Sequence, residues 1–241
     1  MDASISLVIP AYNAAAHIRP VIDRIPRPLW RRLRTVWIIN DGSTDGTDAV
    51  IEALSRRNEA VHPVHFPENR GYGAAVRQGL ALCRDDGCDF AACLHADGQY
   101  PPEAVIPFVD AMAEGGIDLM QGSRLASGTA LSGGMPMYKY LAGRALTALE
   151  NTCFGLHMTD CHSGFLVYSR RSLAVLPFHR LSDSFDFDME IIASARCRGL
   201  AIGELPIPTR YAGEKSHLQP VLYGLRVLWV LVKYKAGYYR V

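Results

Sequence analysis

Three polar residues spaced two apart, His95, Asp97 and Gln99, follow directly on the apolar run 90–94. The proline pair 101–102 comes next and favours the start of a helix, so the polar stretch is expected at the carboxyl end of a strand. On an extended backbone the three side chains would share one face, and imidazole, carboxylate and amide oxygen are all ligands for divalent cations. We predict a metal site; the alternative is a strand end at which Asp97 caps the following helix.

The overall composition limits the classes of function that are open to the chain. With 241 residues, of which 49% are hydrophobic, it can bury a large core without disulfides, and one large domain is expected. A net charge of +1 argues against a nucleic-acid binder that works by neutralising phosphates. The six cysteines lack paired CxxC spacing, which favours free thiols in a reducing compartment over disulfides or structural zinc.

Neither a secretory signal nor a transmembrane span is indicated by the sequence. The apolar run between Asp2 and Pro10 is too short for a signal peptide. No segment reaches the roughly 20 apolar residues that a membrane-crossing helix requires. We therefore expect a cytoplasmic protein.

The carboxyl-terminal stretch 221–241 is apolar but interrupted by cations. Arg226, Lys233 and Arg240 recur every seven residues, so they keep nearly to one face of a helix whose remaining surface is mostly apolar. Such an amphipathic helix is suited to a membrane interface, on the inner face of the membrane if the protein is cytoplasmic. The alternative is a helix packed against the protein itself or against a second subunit.

Apolar runs alternate with helical patterns along most of the chain. Strands are predicted at residues 5–9, 35–39, 61–66, 90–94, 118–121 and 201–207, and residues 159–168 are predicted to be a turn that leads into a short strand. The longer helices are predicted up to about residue 25 and at residues 47–58, 73–84, 102–114, 137–154 and 186–198. This alternation predicts an α/β fold with a mainly parallel sheet flanked by helices. The arginine-rich stretch 24–34 is interpreted as a solvated face.

Polar residues follow the carboxyl ends of four predicted strands. Asn13, Asp41, Asp97 and Arg124 each stand at such a position, and parallel strands would bring them to one edge of the sheet. A nucleotide diphosphate lying across that edge would find a cation held at Asp97 and a hydrogen-bonding partner for its base at Asp41. A dinucleotide site fits less well, because the glycine fingerprint is missing from the first βα turn.

Six motifs together resemble one family. They are Val8-Ile9-Pro10-Ala11-Tyr12-Asn13, Asn40-Asp41-Gly42-Ser43-Thr44-Asp45, Asn69-Arg70-Gly71-Tyr72-Gly73-Ala74-Ala75, Ala96-Asp97-Gly98-Gln99-Tyr100-Pro101-Pro102, Gly122-Ser123-Arg124 and Ser163-Gly164-Phe165. In this order they resemble glycosyltransferase family 2, and most closely its dolichol- or polyprenyl-phosphate mannosyltransferase branch. The resemblance covers about residues 4–217. It implies a GT-A fold, a nucleotide-sugar donor, a divalent cation and inversion at the sugar carbon.

The resemblance also implies roles for individual residues on the donor side. Donor contacts are expected at Pro10, Ala11, Tyr12, Asn13, Asp41, Gly71, Ala96 and Asp97. Asp97 and Gln99 match the cation ligands of the family, whereas His95 stands where its first aspartate usually lies. Two further departures are Asn40 and Ala14, in place of an aspartate and a glutamate. Since imidazole suits Mn²⁺ better than Mg²⁺, we expect Mn²⁺ to support activity better.

The acceptor decides which other residues matter. A lipid phosphate is already an anion and needs cationic or hydrogen-bonding partners, for which the candidates are Arg124, Lys139, Arg144, Ser163 and Arg210. A hydroxyl acceptor needs a general base, and Asp188 is the first candidate, with Glu190 beside it, because family members acting on hydroxyls place a carboxylate in this region. Alternatively, these acids only complement the dipole at a helix amino terminus.

We expect a catalytic unit at residues 1–217 and an amphipathic helix at 218–241, which would contact a membrane or a second subunit. The predicted function is metal-dependent, inverting transfer of a sugar from a GDP- or UDP-sugar to a polyprenyl-phosphate-type lipid. A small-molecule or saccharide hydroxyl as acceptor, with Asp188 as base, is the alternative within the class. Outside it, a catalytically silent nucleotide-sugar-binding subunit remains open because of His95.

Overall fold

The computed structural model describes residues 3–128, 130–208 and 219–240. The strands are β1 (Ile5–Ala11), β2 (Leu33–Asn40), β3 (Val61–His65), β4 (Phe90–Cys93), β5 (Leu119–Ser123), β6 (Leu166–Ser169) and β7 (Ile202–Pro206). The α-helices are α1 (Ile18–Asp23), α2 (Arg27–Arg32), α3 (Thr47–Ser55), α4 (Tyr72–Asp86), α5 (Val105–Gly115), α6 (Met137–Phe154), α7 (Arg170–Val175), α8 (Phe187–Cys197) and α9 (Pro220–Lys235). Short 3₁₀ turns occur at Pro102–Ala104, Phe178–Arg180 and Tyr238–Arg240.

The seven strands form one sheet in the order β3-β2-β1-β4-β6-β5-β7. Strand β6 is antiparallel to both of its neighbours, and the other pairs are parallel. The predicted α/β fold with a mainly parallel sheet is confirmed. Because β6 runs the other way, its amino end, and not its carboxyl end, lies at the edge where β1, β2, β4 and β5 finish. The segment 159–165, which precedes β6, is thereby brought to the edge that carries the polar motifs.

The sheet is buried on both faces, which is why its strands read as nearly continuous apolar runs. In β1, Leu7 and Ile9 face one hydrophobic cluster and Val8 faces the other, as the alternation of side chains along a strand requires. The first cluster includes residues of α1, α2 and α5, and the second includes residues of α4, α8 and α9.

The arginine-rich stretch 24–34 is in part the solvated face that was predicted: Arg27, Arg31 and Arg34 are exposed, whereas Arg24 and Arg32 are partly buried. Residues Arg27–Arg32 form the short helix α2, and Arg32 pairs with Asp110 on α5 at 2.8 Å. Arg24 donates to the carbonyl oxygen of Gly98 at 2.9 Å. Charge partners far away in sequence therefore give several of these cations a structural task that a local pattern does not reveal.

Helix α9 contacts α6 and α8 with one face and exposes the other. Val227 and Val230 are completely buried, whereas Leu225 and Trp229 are each 60% exposed. Across the described ranges no helix combines the length and apolar character needed to cross a membrane.

Candidate active site

The loops after β1 and β2 bind each other through side chains that accept backbone N–H groups. Asn13 has a left-handed backbone conformation (φ 49°), which asparagine tolerates better than most residues. Its Oδ1 accepts the N–H of Thr44 at 2.9 Å, and its own N–H donates to Ser43 Oγ at 2.9 Å. The N–H of Ala14 donates to Thr47 Oγ1 at 2.8 Å. Two of the predicted donor-binding loops are thus joined before any ligand binds.

Asp41 extends this arrangement to a third loop. Its side chain is buried, and its two carboxylate oxygens accept the N–H groups of Arg70 at 2.7 Å and Gly71 at 3.0 Å. Gly71 has φ +100°, and a Cβ there would lie 2.3 Å from the carbonyl oxygen of Asp183. The glycine therefore lets the backbone pass close to the segment before α8. The contact of Asp41 with a nucleotide base stays a prediction.

The other residues predicted to contact the donor differ in their exposure to solvent. Tyr12 is 43% exposed and Pro10 is half-buried. The side chains of Ala11 and Ala96 are buried in the core, so only their backbone atoms can face a donor. Small side chains at these two positions are explained by packing against the sheet.

The stretch 95–98 is a turn and not the extended strand end that the sequence led us to expect. Gly98 has φ +74°, and its N–H donates to the carbonyl oxygen of His95 at 3.2 Å. Asp97 Oδ1 accepts the N–H of Gln99 at 3.0 Å, which stabilises the turn. The prediction that His95, Asp97 and Gln99 project from one extended face is therefore wrong. Asp97 caps this turn, and not the helix that follows.

His95 sits in an aromatic pocket beneath this turn. Its ring makes edge contacts with Tyr72 and Tyr100, at centroid distances of 5.2 and 4.7 Å. Its Nε2 lies 3.0 Å from the hydroxyl oxygen of Tyr72. Burial lowers the pKa of His95, although the Asp97 carboxylate opposes that shift and Arg124 adds to it. The imidazole is therefore neutral at pH 7, the state in which it can bind a cation.

The donor groups here fit a cation that is shared with a bound diphosphate. In the parts of the chain that the structure covers, no three His, Cys, Asp or Glu side chains are grouped to hold a metal ion. Divalent cations at phosphate sites commonly bind one or two protein ligands and complete their shell with phosphate and water oxygens. Asp97, with the neutral His95 beside it, meets that smaller requirement; Gln99 contributes its backbone N–H to the turn.

Arg124 follows β5 and is paired with a buried acid. Its Nε and Nη2 donate to Asp160 Oδ2 at 2.7 Å and Oδ1 at 3.0 Å, and Nη2 also donates to the carbonyl oxygen of His162 at 2.9 Å. Burial by itself would raise the pKa of Asp160, but the guanidinium and its hydrogen bonds outweigh it and hold that pKa below its usual range. Arg124 is thereby held at the edge of the sheet as a permanent cation.

Asp188 lies in the first turn of α8, behind Tyr72. Its Oδ2 accepts the Tyr72 hydroxyl at 2.9 Å, and its Oδ1 is buried without a hydrogen-bond partner among the described residues. Burial raises the pKa of Asp188 to about 7, with the Tyr72 hydrogen bond acting in the opposite direction. A carboxyl group with this pKa can exchange a proton near neutral pH.

Comparison with known proteins agrees with this geometry. The sequence profile of glycosyl transferase family 2 matches residues 6–176, which is more than half of the chain. The chain belongs to this family. It is a glycosyltransferase, as the motifs predicted.

The curated relatives resemble this glycosyltransferase along nearly its whole length. It is 26% identical to the UDP-N-acetylglucosamine–dolichyl-phosphate N-acetylglucosaminyltransferase of Methanococcus voltae, with 98% of each chain covered. It is 25% identical to the dolichol-phosphate mannosyltransferase of Saccharomyces cerevisiae, over 98% of this chain and 90% of that one. The predicted resemblance to the polyprenyl-phosphate branch is confirmed.

The fold is shared with glucosyl-3-phosphoglycerate synthase from Mycobacterium tuberculosis, solved with Mn²⁺, uridine diphosphate and phosphoglyceric acid. The TM-score is 0.71 at 21% identity, covering 97% of this chain and 78% of that one. The predicted GT-A fold is confirmed.

The prediction that Glu190 is catalytic is not supported by its surroundings. This glutamate of the glycosyltransferase is completely buried, and its carboxylate accepts hydrogen bonds from Lys233, from the Tyr239 hydroxyl at 2.7 Å and from the N–H of Ser182. Lys233 and Tyr239 belong to the carboxyl-terminal segment. Glu190 therefore anchors that segment to α8 and has no access to a substrate.

The predicted acceptor-binding residues lie on several different elements. Ser163 is completely buried, and its Oγ accepts the N–H of Phe165 at 3.3 Å, so its side chain stabilises the loop before β6 and does not face an acceptor. Lys139 and Arg144 lie on α6, where Arg144 donates to the Tyr140 hydroxyl at 3.1 Å. Arg210 lies outside the described residues.

A second acid–base pair stands beside Arg124 and Asp160, and sequence reasoning missed it. Glu150 of α6 is completely buried, with Oε2 3.4 Å from His162 Nε2, and His162 Nδ1 lies 3.0 Å from the Tyr223 hydroxyl of α9. Burial raises the pKa of Glu150 to about 8 and lowers that of His162 to about 4. Both groups are therefore neutral at pH 7. Asp160 and His162 are both largely shielded from solvent.

Proposed function

We propose that this glycosyltransferase moves a sugar from a nucleotide-diphosphate donor to a polyprenyl-phosphate-type lipid, with a divalent cation and with inversion at the anomeric carbon. UDP- and GDP-sugars are the donor candidates. The names of the Methanococcus voltae and yeast relatives, which specify dolichyl or dolichol phosphate, support this acceptor class. The crystal structures with Mn²⁺ or Mg²⁺ and uridine diphosphate support a cation-dependent donor site.

The observation that carries the lipid acceptor is an exposed apolar surface beside the pair of Arg124 and Asp160. We define the α6–α9 surface by its exposed side chains, Met137, Tyr138, Leu141, Leu149, Val221, Leu222, Leu225, Leu228, Trp229 and Val232. The two helices contact each other, and α9 also reaches the Arg124 loop through the hydrogen bond between Tyr223 and His162. Monomeric soluble proteins rarely expose so many large apolar side chains on neighbouring elements. An isoprenoid chain or a membrane interface would cover them.

The chemistry proposed for the site needs no general base. An oxygen of the acceptor phosphate attacks the anomeric carbon from the side opposite the diphosphate; the new C–O bond forms while the bond to the diphosphate breaks, and the nucleoside diphosphate leaves. Arg124 supplies positive charge near the acceptor phosphate. When bound, the cation would be held by Asp97 with His95 and would neutralise the departing diphosphate.

A hydroxyl acceptor is the second candidate, and one observation favours it. The raised pKa of Asp188, about 7, suits a general base. Against it, Tyr72 stands between this carboxylate and His95, and Asp188 Oδ1 is buried. A hydroxyl could reach Asp188 only after Tyr72 moves.

Acceptor competition tests the proposal directly. The full chain is incubated in detergent with UDP- and GDP-sugars and Mn²⁺, Mg²⁺ or chelator, and is offered polyprenyl phosphate, the matching polyprenol or a soluble saccharide. We expect product with polyprenyl phosphate as the acceptor and with neither of the other two, and only when a cation is present, with more product in Mn²⁺ than in Mg²⁺. The variant Asp97→Ala should form none. Transfer to the polyprenol or saccharide with the phosphate inert would overturn the lipid-phosphate assignment.

The α6–α9 surface is tested separately, with anionic vesicles that carry the acceptor. Leu225→Ser and Trp229→Ser replace two exposed side chains, so they should leave the melting temperature nearly unchanged and weaken vesicle binding about tenfold together, because apolar insertion is lost. Val175→Ser, at an exposed position of α7, is the matched control. Unaltered vesicle binding in the double variant would contradict peripheral attachment through this surface.

A further inference from the structure

Three side chains from three distant elements form one hydrogen-bond chain beneath the donor site. Asp188 of α8 accepts from the Tyr72 hydroxyl of α4 at 2.9 Å, and that hydroxyl oxygen lies 3.0 Å from Nε2 of His95, which follows β4. Of these three residues, only His95 belongs to the turn at residues 95–98. The function proposed above uses the neutral imidazole but assigns no task to the two residues behind it.

The direction of the chain follows from the number of protons available. A tyrosine hydroxyl has one proton, and above its pKa of about 7 the Asp188 carboxylate is ionised and can only accept. When the Tyr72 proton points to Asp188, the oxygen of Tyr72 must accept a hydrogen from His95, which places the imidazole proton on Nε2. The other ring nitrogen, Nδ1, then carries a lone pair.

The ring is also closely packed on several sides. Tyr72 and Tyr100 contact it on two sides, and the backbone of Gly164 lies so close that a Cβ there would be 2.7 Å from Nε2 and 2.8 Å from Cε1. Nδ1 accepts no hydrogen bond among the described residues, which leaves its lone pair available. A carboxylate at this position would not need these orienting contacts, because either of its two oxygens can bind a cation. An imidazole binds one only through an unprotonated nitrogen.

We propose that Tyr72 and Asp188 are positioning residues that hold His95 as the Nε2–H tautomer and so present Nδ1 as a ligand to the cation of the donor. This inference rests on the proposed function, because it assumes a cation shared with a nucleotide diphosphate. Histidine ligands of metal sites commonly donate their second nitrogen to a carboxylate or another acceptor, and removal of that partner weakens metal affinity about 10- to 100-fold. Tyr72 passes the same interaction on to Asp188.

The tautomer is measured first, in protein without metal or nucleotide. Long-range ¹H–¹⁵N NMR at pH 8 reports which ring nitrogen of His95 carries the proton, with the signal assigned by His95→Gln. We expect Nε2–H in the wild-type protein and in Tyr238→Phe, whose hydroxyl contacts the Arg180 carbonyl instead. Tyr72→Phe should shift the population toward Nδ1–H or a mixture. Nδ1–H in the wild-type protein would overturn the inference.

Cation binding is measured second, by titrating Mn²⁺ in the presence of UDP or GDP and following free Mn²⁺ by EPR. Tyr72→Phe should bind Mn²⁺ at least about tenfold more weakly, and Tyr238→Phe should match the wild type. Equal affinity in Tyr72→Phe would contradict the positioning role. If the wild-type protein fails to bind Mn²⁺ in the presence of UDP and also in the presence of GDP, the proposed function itself is contradicted. If it binds Mn²⁺ normally but His95 has the other tautomer, only this inference is contradicted.

Discussion

The two sides of the site are held together by different kinds of interaction. On the donor side, Asn13 and Asp41 accept backbone N–H groups of neighbouring loops. On the proposed acceptor side, Arg124 pairs with Asp160, and the carboxyl-terminal segment next to it is anchored by the pair of Lys233 and Glu190. The donor side is therefore built by the backbone within the first half of the chain, whereas the acceptor side depends on ionised pairs and on the carboxyl-terminal segment.

This difference shows how each side responds to change. A backbone N–H group is kept in every substitution except one to proline. Each loop of the donor side is therefore loosened by removing the side chain that accepts the N–H groups. A buried ion pair fails when either partner is removed, because the remaining charge is left without compensation. Substitutions in the buried ion pairs of the acceptor side should therefore reduce stability most. Removing a side chain that accepts backbone N–H groups on the donor side should have an intermediate effect, and changes in a pair that is already neutral should have the smallest.

The largest effect is expected for Lys233→Met. It leaves the carboxylate of Glu190 buried without its cation, which should cost about 3–5 kcal/mol in the free energy of unfolding. Urea unfolding followed by circular dichroism measures it. Lys235→Met, at an exposed position of the same helix, is the control and should change stability by less than about 0.5 kcal/mol. Equal values for the two variants would show that the carboxyl-terminal segment is not anchored by charge.

An intermediate effect is expected for Asp41→Ala. The N–H groups of Arg70 and Gly71 lose a charged acceptor, but both residues are accessible to water, which replaces part of the lost bonds, so the total loss should be about 1.5–3 kcal/mol. The same unfolding measurement applies, with the exposed Asp48→Ala as control. A loss as large as that of Lys233→Met would remove the proposed contrast between the two sides.

The smallest effect at pH 5 is expected for the pair formed by Glu150 and His162, and this effect grows as pH rises. The pKa of Glu150 is about 8 in the folded protein and near 4.5 when unfolded, so this group lowers stability progressively as pH rises from about 4.5 to 8. Glu150→Gln removes that penalty. The variant should nearly match the wild type in melting temperature at pH 5 and melt clearly higher at pH 9, because a pKa raised from near 4.5 to about 8 corresponds to as much as about 5 kcal/mol.

Glu114→Gln, at an exposed site of α5, controls for the general effect of pH and should follow the wild type at both values. A variant Glu150→Gln that loses stability at pH 9 would mean that Glu150 is ionised and paired with a charged His162, as Asp160 is with Arg124.

Local patterns were sufficient for most elements and for the donor motifs. Helix α6 has the predicted bounds, Met137–Phe154, because its caps and its apolar spacing are local signals. The prediction that His95 and Asp97 share one face was wrong because Gly98 is left-handed and Asp97 accepts a hydrogen bond within a turn. These causes are local too, but whether these residues form a turn or extend the strand depends on where the strand ends. Sheet pairing decides where β4 ends.

The acid residues of α8 show what the sequence by itself determined and what it left to the tertiary structure. Asp186, Asp188 and Glu190 give one local signal, acidic charge at a helix amino terminus, and the sequence determined that much together with the fold class and the family. Their separate tasks come from partners 40, 116 and 43 residues away, Arg226, Tyr72 and Lys233. A local pattern has no information about such partners, since a folded chain selects them by which elements pack together and not by spacing.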